Sequence, residues 1–418
     1  MMSLKKAVLT IGLLALAISP VLAEELTRAE MEALIYAQQA QMQQMQQQIN
    51  QLSDLIAGVQ ADQAVLERHH LDRTASYQSR NWTDKTSITG DLRLRYEIQT
   101  EDSTRRDTSR DRLRARARIS LTNQFAEDLR LGVRLVTGSD DSAISTNQSF
   151  GGNASKTQVW FDRYFAEWSP TEWFVFTGGK FSDPFTYTQM LIDGDVMFEG
   201  AAQEFKFKEE GMDLRLRLGQ FLIHDTSWDS KDIWLLAIQG GGYFDLSDDL
   251  RLDAMLGYWD YSNQIKRRPL AGARTDGNRH DGTGVRLDDY NILQPHLALN
   301  YNGVDGWPIK VYGEYVQNLD TSVDDEGWHV GFDIGQARRE GGFRLGAFYQ
   351  RLEANAVLDV LTDSDFYGGG TNNKGFGAKA AYAIRDNWTF NVAGLFAKTE
   401  SGPKKDFNTY QFDTAWRF

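Results

Sequence analysis

The chain has 418 residues, a formal net charge of −13, 12% aromatic residues, 37 glycines, only 7 prolines and no cysteine. The missing cysteine excludes a disulfide framework, a thiolate metal site and covalent haem attachment. High aromatic content beside low overall hydropathy suits a membrane β-barrel, whose strands are only half apolar.

Lys5 and Lys6 precede an apolar run from Ala7 to Ile18, and Val21-Leu22-Ala23 offers small residues before a cleavage point. Residues 1–23 therefore read as a secretory signal peptide, with the mature chain starting near Glu24. Beyond it no apolar run reaches about 18 residues, which excludes helical membrane spans.

From Met31 to Leu66 the period is helical. Ile35, Met42, Ile49, Ile56 and Gln63 form one seam, and Met31, Gln38, Met45, Leu52, Val59 and Leu66 form the other. The interleaved spacing predicts an α-helical coiled coil over 24–68 that self-associates, with dimer and trimer both open and Gly58 a weak point. Residues 69–85 have no steady period and read as a linker. His69 and His70 lack a third ligand and make no metal site.

From Thr86 the period is two. Leu92, Leu94 and Tyr96 alternate with Arg93, Arg95 and Glu97, and Leu129, Leu131, Val133 and Leu135 alternate with Arg130, Gly132 and Arg134. Very short polar connections at 126–128, 170–172, 209–211, 247–249, 304–306, 340–342 and 385–387 alternate with longer Gly-, Asp-, Asn- and Ser-rich ones such as 138–156, 264–284 and 356–373. This layout predicts an all-β transmembrane barrel of about 16 antiparallel strands over 86–418.

The alternation sends Arg93, Arg95, Arg112, Arg114, Arg116, Arg118, Arg130, Arg134, Lys180, Arg215, Arg217, Arg251, Lys310, Arg344 and Lys379 inward as pore-lining residues. On the lipid face an arginine near the midplane would cost roughly 2–4 kcal/mol, so four on one strand belong in water. Fewer acids share that face, chiefly Asp91, Glu97, Asp253, Glu314 and Asp333, while the long loops gather Asp140, Asp141, Asp288, Asp289, Asp324 to Glu326, Asp359, Asp363 and Asp365. A basic lumen would concentrate anions. The alternative is that these arginines only hold the wall together by ion pairs.

The third long connection lies in GGKFSDPFTYTQMLIDGDVMFEG, Gly178 to Gly200. Its Gly-Lys before Pro-Phe and its Asp-x-Asp leading to Glu-Gly, carried by Lys180, Pro184, Phe185, Asp193, Asp195, Glu199 and Gly200, resemble the putative porin family of Gram-negative bacteria. The layout is also related to phosphate-selective and general porins. The final strand, with Tyr410, Phe412, Trp416 and the terminal Phe418 on one face, resembles the outer-membrane signature read by the barrel-assembly machinery. The resemblance implies a sixteen-stranded barrel, commonly a homotrimer, whose third loop narrows the channel. Asp183, Pro184, Phe185, Asp193 and Asp195 then form the constriction loop, with its carboxylates facing the arginine wall; the alternative is that Asp193 and Asp195 only end the loop before strand six.

The expected function is passive diffusion of small hydrophilic solutes with anion preference, in an outer membrane of lipid and lipopolysaccharide. The coiled coil is expected in the periplasm, where it can meet the cell wall. One competing reading is a structural, adhesive or conduit-sheath barrel. Another is a barrel enzyme, disfavoured because His224, His280, His296 and His329 are scattered with no catalytic grouping. No cofactor, catalytic residue or metal ligand is expected. Nucleic acid is not an expected partner, because Leu113, Ala115, Ala117 and Ile119 make the arginine-rich segment half apolar.

Overall fold

The computed structural model describes residues 83–104, 107–139, 142–225, 232–263, 277–281 and 285–418. The signal segment, the heptads of 24–68, nearly all of the linker, and Asp140 and Asp141 lie outside these residues. Sixteen wall strands follow in chain order: β1 (Thr86–Ser103), β2 (Asp107–Ala126), β3 (Leu129–Thr137), β4 (Val159–Thr171), β5 (Phe174–Phe181), β6 (Phe198–Glu209), β7 (Met212–His224), β8 (Ile233–Ser247), β9 (Leu250–Tyr261), β10 (Tyr290–Tyr301), β11 (Ile309–Asn318), β12 (Glu326–Gly335), β13 (Phe343–Leu352), β14 (Asn373–Arg385), β15 (Trp388–Thr399) and β16 (Lys405–Arg417). A two-residue segment, Gln148–Ser149, pairs with β2 from within a loop.

Each wall strand pairs antiparallel with the next, and β16 returns to β1 from Asp91↔Arg417 to Ser103↔Lys405, so the sheet closes. Gly90 and Phe418 exchange backbone hydrogen bonds of 2.9 and 3.1 Å at the seam. Closure leaves no unpaired wall edge.

The side chains follow the two-residue period. Leu92, Leu94 and Tyr96 on β1 and Leu113, Ile119 and Leu121 on β2 are exposed on the outer surface, while Arg95 and Glu97 are buried inside. An apolar exterior around a charged bore fits hydrocarbon outside and water within. The seven short connections occur where the sequence places them. On the other rim the connections are L1 (104–106), L2 (138–158), L3 (182–197), L4 (225–232), L5 (262–289), L6 (319–325), L7 (353–372) and L8 (400–404). L1 and L8 are as short as turns, so the expected contrast of short and long is incomplete.

Aromatic rings belt the short-turn rim. Trp168, Trp173 and Trp307 are exposed there, Trp173 lies 6.3 Å from Phe205, and Trp388 stacks on Trp416 at 5.9 Å. Amphipathic rings favour such an interface.

The apolar core lies in the bore rather than in the wall. Met190, Leu191 and Ile192 of L3 pack with Ala356, Val357, Leu358 and Leu361 of L7 against inward-facing Phe181, Phe198, Phe221, Trp259 and Tyr290. L7, which contains the long connection 356–373 of the sequence up to residue 372, folds inward. Its run Ala356-Val357-Leu358-Asp359-Val360-Leu361 is too apolar for a solvated loop, and that was the available signal.

Candidate pore and constriction

The arginine wall is built by β1 and β2. Their register sets Arg93 opposite Arg116 and Arg95 opposite Arg114, with every guanidinium facing the bore. Like charges so close need counter-charges, and the wall supplies them. Arg95 grips Asp413 of β16 bidentately at 2.8 and 2.9 Å and reaches Asp365 of L7 at 3.1 Å. Glu97, 0% exposed, accepts from Arg112 and lies 3.4 Å from both Arg95 and Arg114. Asp91 accepts from Arg116 at 2.7 Å and Arg118 at 2.6 Å, and Arg118 lies 3.6 Å from Asp195 of L3.

The remaining inward cations are mostly paired as well. Arg130 meets Glu167 at 2.6 Å, and Arg134 meets Asp162. Arg215 and Arg217 share Glu204 at 3.2 and 3.0 Å, Arg251 meets Asp253 at 2.9 Å, and Arg344 meets Asp333 at 2.8 Å. Inward acids remain fewer than inward cations, but they are more numerous than the alternation alone picks out. Asp413, Glu204, Glu167, Asp162 and Asp213 also face the bore and were not counted. Lys180 is a correction, because on β5 it is Phe181, not Lys180, that packs inside. Lys180 sits on the outer face and pairs with Glu199 at 2.8 Å.

Arg163 shows why simple alternation fails locally. Between β3 and β4 the register slips, with Arg134 opposite Arg163 and Leu135 opposite Phe161. The extra residue of this β-bulge lets Asp162 and Arg163 both turn inward. Arg163, Lys310 and Lys379 make no ion pair among the described residues; Arg163 contacts the Met197 sulfur at 2.9 Å, and the two lysines lie over aromatic rings.

L3 is clamped to the opposite wall by uncharged and charged polar groups. Thr186 donates its N–H to Gln239 at 2.9 Å, and its carbonyl accepts from Gln239 at 2.8 Å and from Gln294 at 3.1 Å. Glu314 accepts from Thr188 N–H at 2.8 Å, from the Thr188 hydroxyl at 2.7 Å and from Gln294 at 2.8 Å. His296 approaches the same carboxylate at 3.3 Å. The hydroxyl here bonds the carboxylate and not the imidazole, so the order of a nucleophile, base and orienting acid is absent.

The constriction carboxylates divide. Asp195 faces the arginine wall, but Asp183 and Asp193 do not, which corrects the expectation for these two. Asp183 accepts from Phe185 N–H at 3.0 Å and the Tyr187 hydroxyl at 2.7 Å, and burial raises its carboxyl to about 6. Phe185 packs 4.8 Å from Trp259, and Pro184 borders a cavity with Arg130 and Arg163. Asp193 faces L7, accepting from Ser364 N–H at 3.0 Å, while its own N–H donates to Leu361 O at 2.7 Å. L2 joins them, since the Ile144 carbonyl accepts from the Ser364 hydroxyl at 3.0 Å.

Burial, and then the charge of Asp363, push the Asp193 carboxyl up to about 8. Burial and the neighbouring Asp365 raise Asp363 as well, whereas Asp365, which burial alone would raise, is held low by Arg95. Asp193 in the docked loops thus keeps a proton that the unfolded chain releases above its ordinary 3.8. Its contribution is full below that value and is lost as pH rises toward 8. Single-channel records should be quiet at pH 5 and show more open-state flicker at pH 9. Asp193→Asn should flatten this difference, and a pH difference that persists in Asp193→Asn would exclude Asp193 as its source.

Two water-accessible spaces flank the constriction. A vestibule of about 540 Å³ lies between Arg110, Arg112 and Arg114 and the Tyr367–Gly369 stretch of L7. A chamber of about 620 Å³ on the other side is bordered by Arg93, Arg95, Tyr312, Lys310, Lys379 and Asp413. On the outer face of β16, Tyr410 packs on Phe396 at 5.6 Å and Phe412 on Tyr96 at 6.4 Å, with Phe418 exposed.

The profile of the family described as "Putative porin" matches residues 99–290 and 287–418. Among solved structures, Pseudomonas putida OprB at high pH aligns with TM-score 0.53 and 9% identity, over 83% of this chain and 97% of that one. Salmonella typhi OmpF in complex with daunomycin gives 0.49 and 12%, over 81% and 99%. Pseudomonas aeruginosa OpdQ gives 0.43 and 10%, over 80% and 98%. No curated protein matches the chain.

Proposed function

The chain belongs to the putative porin family and is an outer-membrane porin of Gram-negative type, and we propose that it passes small hydrophilic solutes by passive diffusion with a modest anion preference. The observation that supports this most directly is the pair of polar spaces on either side of a constriction inside a closed, charged bore. Family and fold support a channel rather than an enzyme.

The anion preference rests on different groups from those the arginine pattern suggests. Arginines matched by carboxylates contribute little net field, whereas Arg163, Lys310 and Lys379 have no bonded carboxylate among the described residues. In a planar bilayer under a KCl gradient, the reversal potential should indicate chloride moderately favoured over potassium. Lys310→Gln with Lys379→Gln should bring the two ions close to parity. A cation-preferring parent would refute the selectivity claim. A barrel that passes no current would favour the structural or sheath reading, which the inward packing of L2, L3 and L7 makes the serious competitor.

The same reading includes homotrimer formation, contact with lipopolysaccharide, and recognition of the last strand by the assembly machinery. Gln203 and Gln220 exchange amide hydrogen bonds of 3.1 and 3.2 Å on the outer face of β6 and β7, a polar pair that a neighbouring copy would accommodate better than lipid. The heptads would stand in the periplasm, because both ends of an even-stranded barrel share that side. Crosslinking with and without residues 24–68 separates trimerisation from contact with the cell wall.

A further inference from the structure

We propose that the chamber on the short-turn side of the constriction holds a binding site for aromatic carboxylates, formed by Tyr312, His329 and Phe348 with Lys310 and Lys379. This rests on the porin reading, since the site lies on the diffusion path.

The three rings come from adjacent strands β11, β12 and β13. Tyr312 and His329 stack with centroids 5.7 Å apart and planes 20° apart, and His329 and Phe348 at 4.8 Å and 15°. Each end of the row lies over a glycine of the neighbouring strand. A Cβ at Gly331 would stand 2.6 Å from the Tyr312 hydroxyl, and one at Gly377 would stand 2.3 Å from the Phe348 ring. The rings therefore overlap along the wall like shingles, in a way larger residues would prevent. Phe366 of L7 continues the row at 5.6 Å from Phe348 and joins it to the constriction.

The two ammonium groups stand at opposite ends. Lys310 Nζ is 5.3 Å from the Tyr312 centroid, and Lys379 Nζ is 5.4 Å from that of Phe348. Asp333, directly across the ladder from Lys310, is taken by Arg344 at 2.8 Å. Asp363 acts on Lys379 through space without forming an ion pair. The wall thus combines apolar rings with cations that have no bonded counter-charge, bordering a chamber of about 620 Å³. That volume falls within the roughly 300–1,000 Å³ usual for small-molecule sites.

The chemistry selects among ligands. A planar acid can lay its ring along the row and its carboxylate against one ammonium. A sugar acid needs free hydrogen-bonding groups beside the rings, but the Gln350 amide is occupied by His329 at 3.3 Å and Asn373 at 3.0 Å. Phosphate needs converging donors, and the two lysines do not converge.

The test uses the full chain. Benzoate should block single-channel current saturably, with half-block at roughly tenfold lower concentration than glucuronate, a ratio equal to about 1.4 kcal/mol. Phe348→Leu or Tyr312→Leu should remove that advantage while KCl conductance is retained. Saturation-transfer NMR on detergent-solubilised protein should show benzoate contact that Phe348→Leu loses. A barrel without KCl conductance would overturn the porin reading, and the NMR measurement would still decide the site. Equal block by the two acids, or benzoate contact unchanged in Phe348→Leu, would overturn the proposal.

Discussion

A barrel whose residues 356–371 are replaced by a short glycine-serine link is expected to carry several-fold more current than the parent. The excised stretch contains Val357, Leu358 and Leu361, which cover Met190, Leu191 and Ile192 of L3. Burial of such a side chain contributes about 1.5–3 kcal/mol, so uncovering several at once removes much of what holds L3 across the bore. The excision also removes the Leu361 carbonyl and the Ser364 N–H that bracket Asp193. L3 would retain its clamp to Gln239, Gln294 and Glu314, which supports repeated opening rather than full release. The wall should survive, because its ladders are closed without L7. The milder Val357→Asp places a carboxylate where the side chain is 0% exposed and should act in the same direction. Single-channel conductance checks this, with circular dichroism confirming retained strand content. Unchanged conductance in both variants would place L7 outside the conducting path.

What the sequence shows of this molecule divides along physical lines. The wall is legible because a strand separating hydrocarbon from water must alternate at every position, and Leu92 to Glu97 or Leu129 to Leu135 do so without exception. The inside of the bore is less legible, because water and protein both tolerate charge there and alternation no longer discriminates. Lys180 was placed by a motif and by parity, but Phe181 takes the inward position beside the L3 core. Arg163 was missed because one bulged residue, Asp162, resets the parity of its strand. Ion pairing is an open alternative in the sequence, but its partners are not legible there: Asp413 stands 318 positions from Arg95, and only closure of the barrel brings them together. L7 could have been recognised, since an aliphatic run inside a long polar connection needs an apolar partner.

The arginine ladder itself carries the second large prediction. Its pattern alone suggests that replacing Arg116 and Arg118 by serine would merely weaken an anion preference. The geometry predicts a reversal. Arg116 and Arg118 hold both oxygens of Asp91 at 2.7 and 2.6 Å, and Arg118 also faces Asp195 at 3.6 Å. Removing both guanidinium groups leaves Asp91 without its bonded counter-charges and Asp195 without the guanidinium 3.6 Å away. A unit charge at 4 Å acts with about 1 kcal/mol in bulk water and about 4 kcal/mol at an effective dielectric of 20, enough to reorder two monovalent ions. The reversal potential under a KCl gradient should therefore change sign, from chloride-preferring to potassium-preferring. Screening supplies an internal check. The Debye length is about 10 Å at 0.1 M and about 3 Å at 1 M salt, so the inversion should be clear in dilute KCl and shrink in concentrated KCl. Lys379→Gln, which uncovers no bonded carboxylate, should lower the chloride preference without inverting it. A double variant that keeps the parent's preference in dilute salt would show that ions pass the constriction away from Asp91 and Asp195.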